Sequence, residues 1–561
     1  GCMDSTALNF NSMATVDDSS CCYTEMINQL GTTIPGPYNS YLGGEVAMSG
    51  DGNIIAATYF AYPVGAGGVR MYEWNGSSWA SIGSITGTGN SFYVSTKTKI
   101  TMSSDGHTLA IGASESDSAN NYSVTTGMVR IYDYNGSSWI QRGGDIVGQA
   151  TSEKFGSSVS LSSGGDTLAI GAKEATTING TTGLARIYEW NGVFWNQLGA
   201  DIVGDANSDK FGASISLSSD GNTVAIGAPF NDANGSNSGH VQIYNFDGTS
   251  WNQLGQDITG GGVVVWNGEY LGWSVSLSDD GMTLVTGAPH GGSVNAQSWQ
   301  KGYVRIYNYN GGVWTQLGQN ITASSYEFGH AVSISSDGNT VAIGSPDHQN
   351  PSYNNNTGVI EIHSWDGSSW TQVGQDIDGG AKFGATLALS SDGNRVVTGA
   401  MHSWTHAAWG GEVSVYSIQP WCILGCTDST ACNYNPLATI DDGQCALPDG
   451  CTDSTACNYD SLATCNDGSC LGLLGCTDSL ACNYNSLATC DDASCVSAIF
   501  GCINTLACNY DSLATCDDGS CLGLLGCTDS LACNYDSLAT CDDSSCILPD
   551  GCTDVTACNY D

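Results

Sequence analysis

FGASISLSSDGNTVAIGAPFNDANGSNSGHVQIYNFDGTSWNQLGQDI, residues 211–258, is the stretch from which the fold can be read. Ser214-Ile215-Ser216-Leu217 alternates polar and apolar, Asp220-Gly221 turns the chain, and Thr223-Val224-Ala225-Ile226 returns as a more buried strand. After a Gly/Asn/Ser loop, Val241-Gln242-Ile243-Tyr244 runs into Asp247-Gly248 and then Trp251-Asn252-Gln253-Leu254. Asp-Gly between alternating apolar runs is a strong hairpin signal, because both turn positions favour positive φ. The stretch therefore predicts one antiparallel sheet of four strands, which cannot bury its faces alone and must stack on copies of itself.

The copies follow from the first turn: Asp51-Gly52, Asp105-Gly106, Gly165-Asp166, Asp220-Gly221, Asp280-Gly281, Asp337-Gly338 and Asp392-Gly393, seven in all. The outer hairpin recurs only six times, ahead of Trp79, Trp139, Trp195, Trp251, Trp314 and Trp370. The seventh unit stops after Val413-Ser414-Val415-Tyr416, while the N-terminus holds an orphan, Ile27-Asn28-Gln29-Leu30-Gly31, that matches Trp195-Asn196-Gln197-Leu198-Gly199. The expected fold is all-β: a seven-bladed β-propeller over residues 23–421, with residues 25–33 completing the last blade. Radial stacking leaves few exposed edges, and an N-terminal strand in the last sheet closes the seam.

Phe211-Gly212 and Gly227-Ala228-Pro229 recur in register as Phe155-Gly156, Phe328-Gly329, Phe383-Gly384, Gly287-Ala288-Pro289 and Gly344-Ser345-Pro346. These motifs resemble the FG-GAP repeats of integrin-α-type propellers, over roughly residues 24–421. Many blades of that type carry an aspartate-rich calcium loop between the two motifs. Here a tight Ser-Ser-Asp-Gly turn takes its place, so the resemblance does not extend to those calcium sites.

The formal charge of −42, from 55 acidic and 13 basic residues, argues against nucleic acid and anionic membrane surfaces as partners. No apolar run approaches the 18 or so residues of a spanning helix. The chain starts at Gly1 without an initiator methionine and stops inside a repeat at Asp561, so it reads as a piece of a longer protein. Of 25 cysteines, Cys2, Cys21 and Cys22 precede the propeller, the rest follow it, and none lies between, a distribution that points to an oxidising, extracellular or cell-surface location. Asn75, Asn121, Asn135, Asn179, Asn234, Asn320 and Asn355 head N-x-S/T sequons, candidate glycosylation sites that a chain so rich in Asn and Ser would produce in about this number by chance.

From Cys422 to Asp561 the chain becomes a tandem array, its units starting at Gly425, Gly450, Gly475, Gly501, Gly526 and Gly551, with the consensus GCTDSxACNYDSLATCDDGSC. Residues 1–22 hold a diverged copy. Such units are too small for a core of their own and need covalent staples over Tyr459, Leu462, Ala463 and their equivalents. The N-terminal copy has Leu8 and Val16 where full repeats have their second and third cysteines, yet keeps Cys2 and Cys21. This suggests pairing of outer with outer and inner with inner: Cys426 with Cys445, Cys451 with Cys470, Cys457 with Cys465, Cys476 with Cys495, Cys482 with Cys490, Cys502 with Cys521, Cys508 with Cys516, Cys527 with Cys546, and Cys533 with Cys541. Spacing alone leaves the other connectivities open. Cys22 and Cys422 are expected to join across the propeller seam. Ile440 replaces the third cysteine of the first tail repeat, so Cys432 is left as a candidate intermolecular thiol; Cys552 and Cys558 also lack partners.

Residues 422–561 contain 20 Asp and no Lys, Arg or Glu. Calcium, which takes oxygen ligands, is the candidate cofactor, at Asp453, Asp460, Asp467 and their equivalents; the alternative is that these residues only cap turns. Zinc bound through the cysteines is a weaker reading than disulfides in a secreted repeat without histidine. No GxSxG, no phosphate-binding glycine loop and no propeller cysteine suggests catalysis, and the innermost strands offer serines rather than acids. His348, His402 and His406, with Asp347, form only a loose histidine group. The outer tryptophans read as packing between blades rather than a sugar platform.

The sequence thus predicts a non-enzymatic structural subunit of an extracellular filament, hair or surface coat. It would assemble head to tail with copies of itself, with long loops between second and third strands making the contacts. The alternative is a cell-surface adhesin whose propeller binds glycan or another surface protein. A lyase or hydrolase acting on glycans ranks third.

Overall fold

The computed structural model describes residues 27–60, 67–88, 92–116, 125–261, 268–291, 301–347, 357–403, 409–418, 424–435, 440–441, 443–447 and 450–548. Its contacts divide the chain into two compact units, Gly1–Trp421 and Cys422–Asp561. No α-helix occurs among the described residues, and no helix is long and apolar enough to cross a membrane.

The first unit is a seven-bladed β-propeller. Blade four, which holds the quoted stretch, has its strands at Ser214–Leu217, Thr223–Ala228, His240–Phe246 and Trp251–Gln253, paired antiparallel in that order. Blade seven is Thr386–Leu389, Arg395–Ala400 and Glu412–Ile418, completed by the N-terminal strand Ile27–Gln29 in the register Ile27↔Ile418 to Gln29↔Tyr416. The orphan segment therefore closes the ring. One detail departs from the plain four-strand reading. In six blades the third strand carries two short outer partners, as when Ile258–Thr259 pairs with His240 and Val241 beyond Trp251–Gln253. The break falls at a glycine with positive φ, Gly255 in blade four, where the chain leaves the ladder and rejoins it.

The residues of the motif explain how blades meet. The Phe-Gly phenylalanines Phe155, Phe211 and Phe328 are fully buried, and Leu42 and Leu271 fill the same place in blades one and five. Gly171, Gly227, Gly287, Gly344 and Gly399 stand where a Cβ would collide with the carbonyl oxygen of the motif glycine in the next blade, for Gly227 that of Gly272. Glycine is required because two backbones approach there. On the outer rim the indole N–H groups of Trp195, Trp251, Trp314 and Trp370 donate to carbonyls of the preceding blade, Trp251 to Leu198 at 2.9 Å. Trp79 donates to Leu30 of the closing segment at 3.0 Å.

Each Ser-x-Asp-Gly turn is tied by its own side chains. In blade four the Ser218 hydroxyl donates to Asp220 and accepts from the Thr223 N–H. At this end of the ring the blades also bond in a circle: Gly50 N–H to Ser104 carbonyl, Ser104 to Ser163, Ser163 to Ser219, Ser219 to Asp279, Asp279 to Ser336, Ser336 to Ser391 and Ser391 back to Gly50, at 2.7–3.1 Å.

In the second unit the outer cysteines pair within each repeat: Cys426–Cys445, Cys451–Cys470, Cys476–Cys495, Cys502–Cys521 and Cys527–Cys546. The inner pairs correct the sequence reading. Cys457 joins Cys490 rather than Cys465, Cys482 joins Cys516 rather than Cys490, and Cys508 joins Cys541 rather than Cys516, with Cα–Cα distances of 5.3–5.8 Å that suit a disulfide. Cys432 is no spare thiol, because it joins Cys465 of the following repeat. Cys533, expected to pair with Cys541, is instead the free and exposed cysteine among the described residues. In the first four units the second cysteine reaches forward to the third of the next. A solitary repeat has no neighbour and lacks both inner cysteines, as residues 1–22 do, and the first tail repeat needs no third cysteine, hence Ile440.

The staples do not cover the apolar side chains either. Leu462 is 85% and Tyr459 45% exposed, while the buried residues of the repeats are cysteines and small alanines such as Ala456, Ala507 and Ala532. Cys2, Cys21, Cys22, Cys422, Cys552 and Cys558, and with them the expected Cys22–Cys422 bond, lie outside the described residues.

Candidate functional site at the channel mouth

The innermost strands follow the Phe-Gly motif, and the third residue after the Phe position of each blade lines the axis. Those residues are Glu45, Lys99, Ser158, Ser214, Ser274, Ala331 and Thr386, around a cavity of about 190 Å³. Four blades thus supply the serines or threonine expected from the sequence. Blades one and two depart from it: Glu45 and Lys99 form an ion pair of 2.7 Å inside the channel. Sequence reasoning missed them because neither blade has a Phe-Gly pair to fix its register. Counting back from Met48 and Met102, the counterparts of Leu161 and Leu217, would have found both. Burial pushes the Glu45 carboxyl up, and the Lys99 ammonium opposes this by charge and hydrogen bond.

The Ser158, Ser214 and Ser274 hydroxyls each donate to the motif-glycine carbonyl of the next blade, at 2.7–2.9 Å. Their hydrogen bonds serve blade packing rather than a ligand. His330 and Trp273 rise above this level at the mouth. His330 Nδ1 lies 3.2 Å from the Ala385 carbonyl oxygen, and burial holds its imidazole down at about 4, so the ring is neutral near pH 7.

Around the mouth lie two aromatic groups. Tyr270 meets Phe230, Trp273 and His290, and Trp273 also meets His290 and His330, with ring centroids 4.8–6.4 Å apart. Tyr41 meets Phe60, His402 and Trp409 at 5.9–6.4 Å. Both anchors precede the motif glycine by two residues, and Tyr41, Lys154, Lys210, Tyr270, Glu327 and Lys382 at this position have φ of +45 to +64. A side chain here turns toward the long-loop face, and the strain persists because the surrounding blade fixes it. Two of the charged residues at this position are ion-paired, Lys210 with Glu174 and Lys382 with Asp347, each at 2.5 Å.

Of the loose histidine group, His402 belongs to the Tyr41 cluster and Asp347 is held by Lys382, while His348 and His406 lie outside the described residues. In the tail, Asp453, Asp460 and Asp467 each accept a backbone N–H two residues on, the turn-capping role. Of the sequon asparagines, Asn75, Asn135, Asn179, Asn234 and Asn320 are exposed, and Asn121 and Asn355 lie outside the described residues.

Against known proteins, the family model described as the FG-GAP repeat matches residues 204–244. The fourth unit is similar to the FG-GAP repeat. That match runs through blade four's first two strands and into the third. No curated protein matches the chain in sequence. Among solved structures, Kuenenia stuttgartiensis hydrazine synthase is similar at 14% identity and a TM-score of 0.43, over 66% of this chain and 95% of that one. A protein described as a candidate 6-phosphogluconolactonase, from Bacteroides uniformis, is similar at 12% identity and a TM-score of 0.40, over 60% and 85%. A propeller with a blade similar to the FG-GAP repeat, together with nine disulfides among the described residues, is consistent with an extracellular, surface- or adhesion-type protein.

Proposed function

We propose that the protein is a non-catalytic structural subunit of an extracellular filament, hair or surface coat, with the propeller as its contact module and the repeats as a covalently linked stalk. The observation that carries this reading is the inter-repeat disulfide chain: Cys432–Cys465, Cys457–Cys490, Cys482–Cys516 and Cys508–Cys541 tie each repeat to the next, so tension along the array is borne by covalent bonds. Leu462, Leu487, Leu513 and Leu538 are exposed at one register of successive repeats, a periodic apolar feature suited to contact with copies of the chain. Calcium held by the tail aspartates would reduce the repulsion along such a stalk. The channel favours no small-molecule chemistry: about 190 Å³ is below the roughly 300–1,000 Å³ of ordinary ligand sites, and its acid, Glu45, is already paired. Negative-stain imaging of native material tests the reading. Regular polymers with a ring-sized repeat are expected, and a protein that stays monomeric at high concentration with calcium present overturns it.

The adhesin reading is favoured by one feature, the aromatic groups around Tyr270 and Tyr41 on the long-loop face, since aromatic faces stack on sugars. Glycan-array binding by monodisperse particles, lost in Trp273→Ala, would support it over the filament.

A further inference from the structure

One position of the blade holds an arginine in four of the seven blades, and Gln242, Glu361 and Ser414 in the others. In the third strand, the residue opposite Ala57, Ile111, Ile170, Ile226 and Thr286 of the second strand is Arg70, Arg130, Arg186, Gln242 and Arg305 respectively. Four of the chain's six arginines occupy it. The reason is visible in blade three, where Arg186 bridges Asp201 at 3.0 Å and Glu153 at 3.2 Å. In blade two Arg130 meets Asp145 at 2.8 Å.

Blade four carries two acids around this position and lacks the guanidinium. Asp257 stands where blade three has Asp201, Asp205 where it has Gln149, and the arginine is replaced by neutral Gln242. Gln242 Nε2 donates to Asp205 Oδ2 at 2.9 Å and Asp257 Oδ1 at 3.1 Å, drawing the two carboxylates together without neutralising them. Blade three's Leu184 is here His240, brought to Asp257 by the pairing of His240 with Thr259. His240 is 1% exposed, and its Nε2 is buried with no hydrogen-bond partner. Donor atoms of Asp205, His240 and Asp257 lie within 4.8 Å of one another. Burial keeps the imidazole neutral, the form that ligates, against the pull of Asp257, Asp205 and Asp209.

We propose that Asp205, His240 and Asp257 bind a first-row divalent metal ion of the zinc class, with solvent completing its coordination on the side of the two exposed aspartates. The imidazole nitrogen separates this site from a calcium site, which takes oxygen ligands. Gln242 and Gln253, which donates to Asp257 Oδ1 at 2.5 Å, hold the carboxylates from behind. The ion would replace, in blade four, the charge that arginine supplies in blades two and three.

The test uses the full oxidised chain, stripped with chelator and titrated with Co²⁺ in excess calcium, which saturates oxygen-only sites in the tail. One equivalent is expected to give the visible absorption of a low-coordinate cobalt site with a nitrogen ligand, displaced by Zn²⁺. Gln242→Arg, which restores the guanidinium of blade three, and Asp257→Asn should each weaken that equivalent at least tenfold; Gln242→Arg should leave the metal-free melting temperature unchanged or raised. No such equivalent in the wild-type chain, or one retained equally by both variants, overturns the proposal.

Discussion

The inter-repeat disulfides make the sharpest test, because the two pairings free different thiols. The substitution Cys490→Ser leaves Cys457 without a partner in the observed chain, whereas pairing within repeats would release Cys482. Alkylation of the unreduced protein followed by peptide mapping reads which sulfur is labelled. The energetic consequence also follows from the connectivity. Cys457 and Cys490 are 33 residues apart, but the 451–470 and 476–495 bridges shorten the covalent path between them to about 17 residues. Loop-closure entropy over that range amounts to about 3–4 kcal/mol of lost stability when the bond is removed from both sides. These repeats bury little besides cysteines and alanines, so nothing else offsets the loss. In Cys457→Ala/Cys490→Ala, proteolysis between Gly450 and Cys495 should speed up by about two orders of magnitude where cleavage tracks local opening. Label on Cys482 in the single Cys490→Ser variant, or unchanged proteolysis in the double variant, would refute the reasoning.

Trp251→Phe keeps most of the packing but removes the indole donor to Leu198, so it should cost about 1 kcal/mol in denaturant unfolding. Gly227→Ala should cost about 1–3 kcal/mol or more, since the methyl meets the Gly272 carbonyl and the blades must separate, while Gly144→Ala, with open space around it and no positive φ, should cost less. His330 has a folded pKa of about 4, below the roughly 6.5 of a free histidine, so the unfolded chain binds the proton first. Its contribution is complete above about pH 6.5 and is lost as pH falls toward 4, by about 2–3 kcal/mol. The change in unfolding midpoint between pH 7 and 4.5 should shrink in His330→Gln, and an unchanged difference would contradict this assignment.

The sequence by itself determined the blade, the count of seven and the closing strand. Asp-Gly turns, period-two alternation and the motif glycines act over a few residues, and Ile27–Gln29 is legible because the last unit lacks that strand. Pairings between equally spaced groups had to wait for the tertiary structure. Cys457 is eight residues from Cys465 and 33 from Cys490, and chain distance favours the nearer; the fold places the farther one at 5.8 Å. A discriminating signal was present, since Ile440 replaces a cysteine only where no earlier tail repeat exists, but pairing within the unit explained Leu8 and Val16 equally well. The Glu45–Lys99 pair, the circle of backbone bonds from Gly50 to Ser391, and the acids facing Gln242 likewise depend on which blade lies next to which. Local propensity fixes each sheet, whereas contacts across blades depend on the closed ring, which brings residues some 55 positions apart, or at the seam nearly 400, within bonding distance.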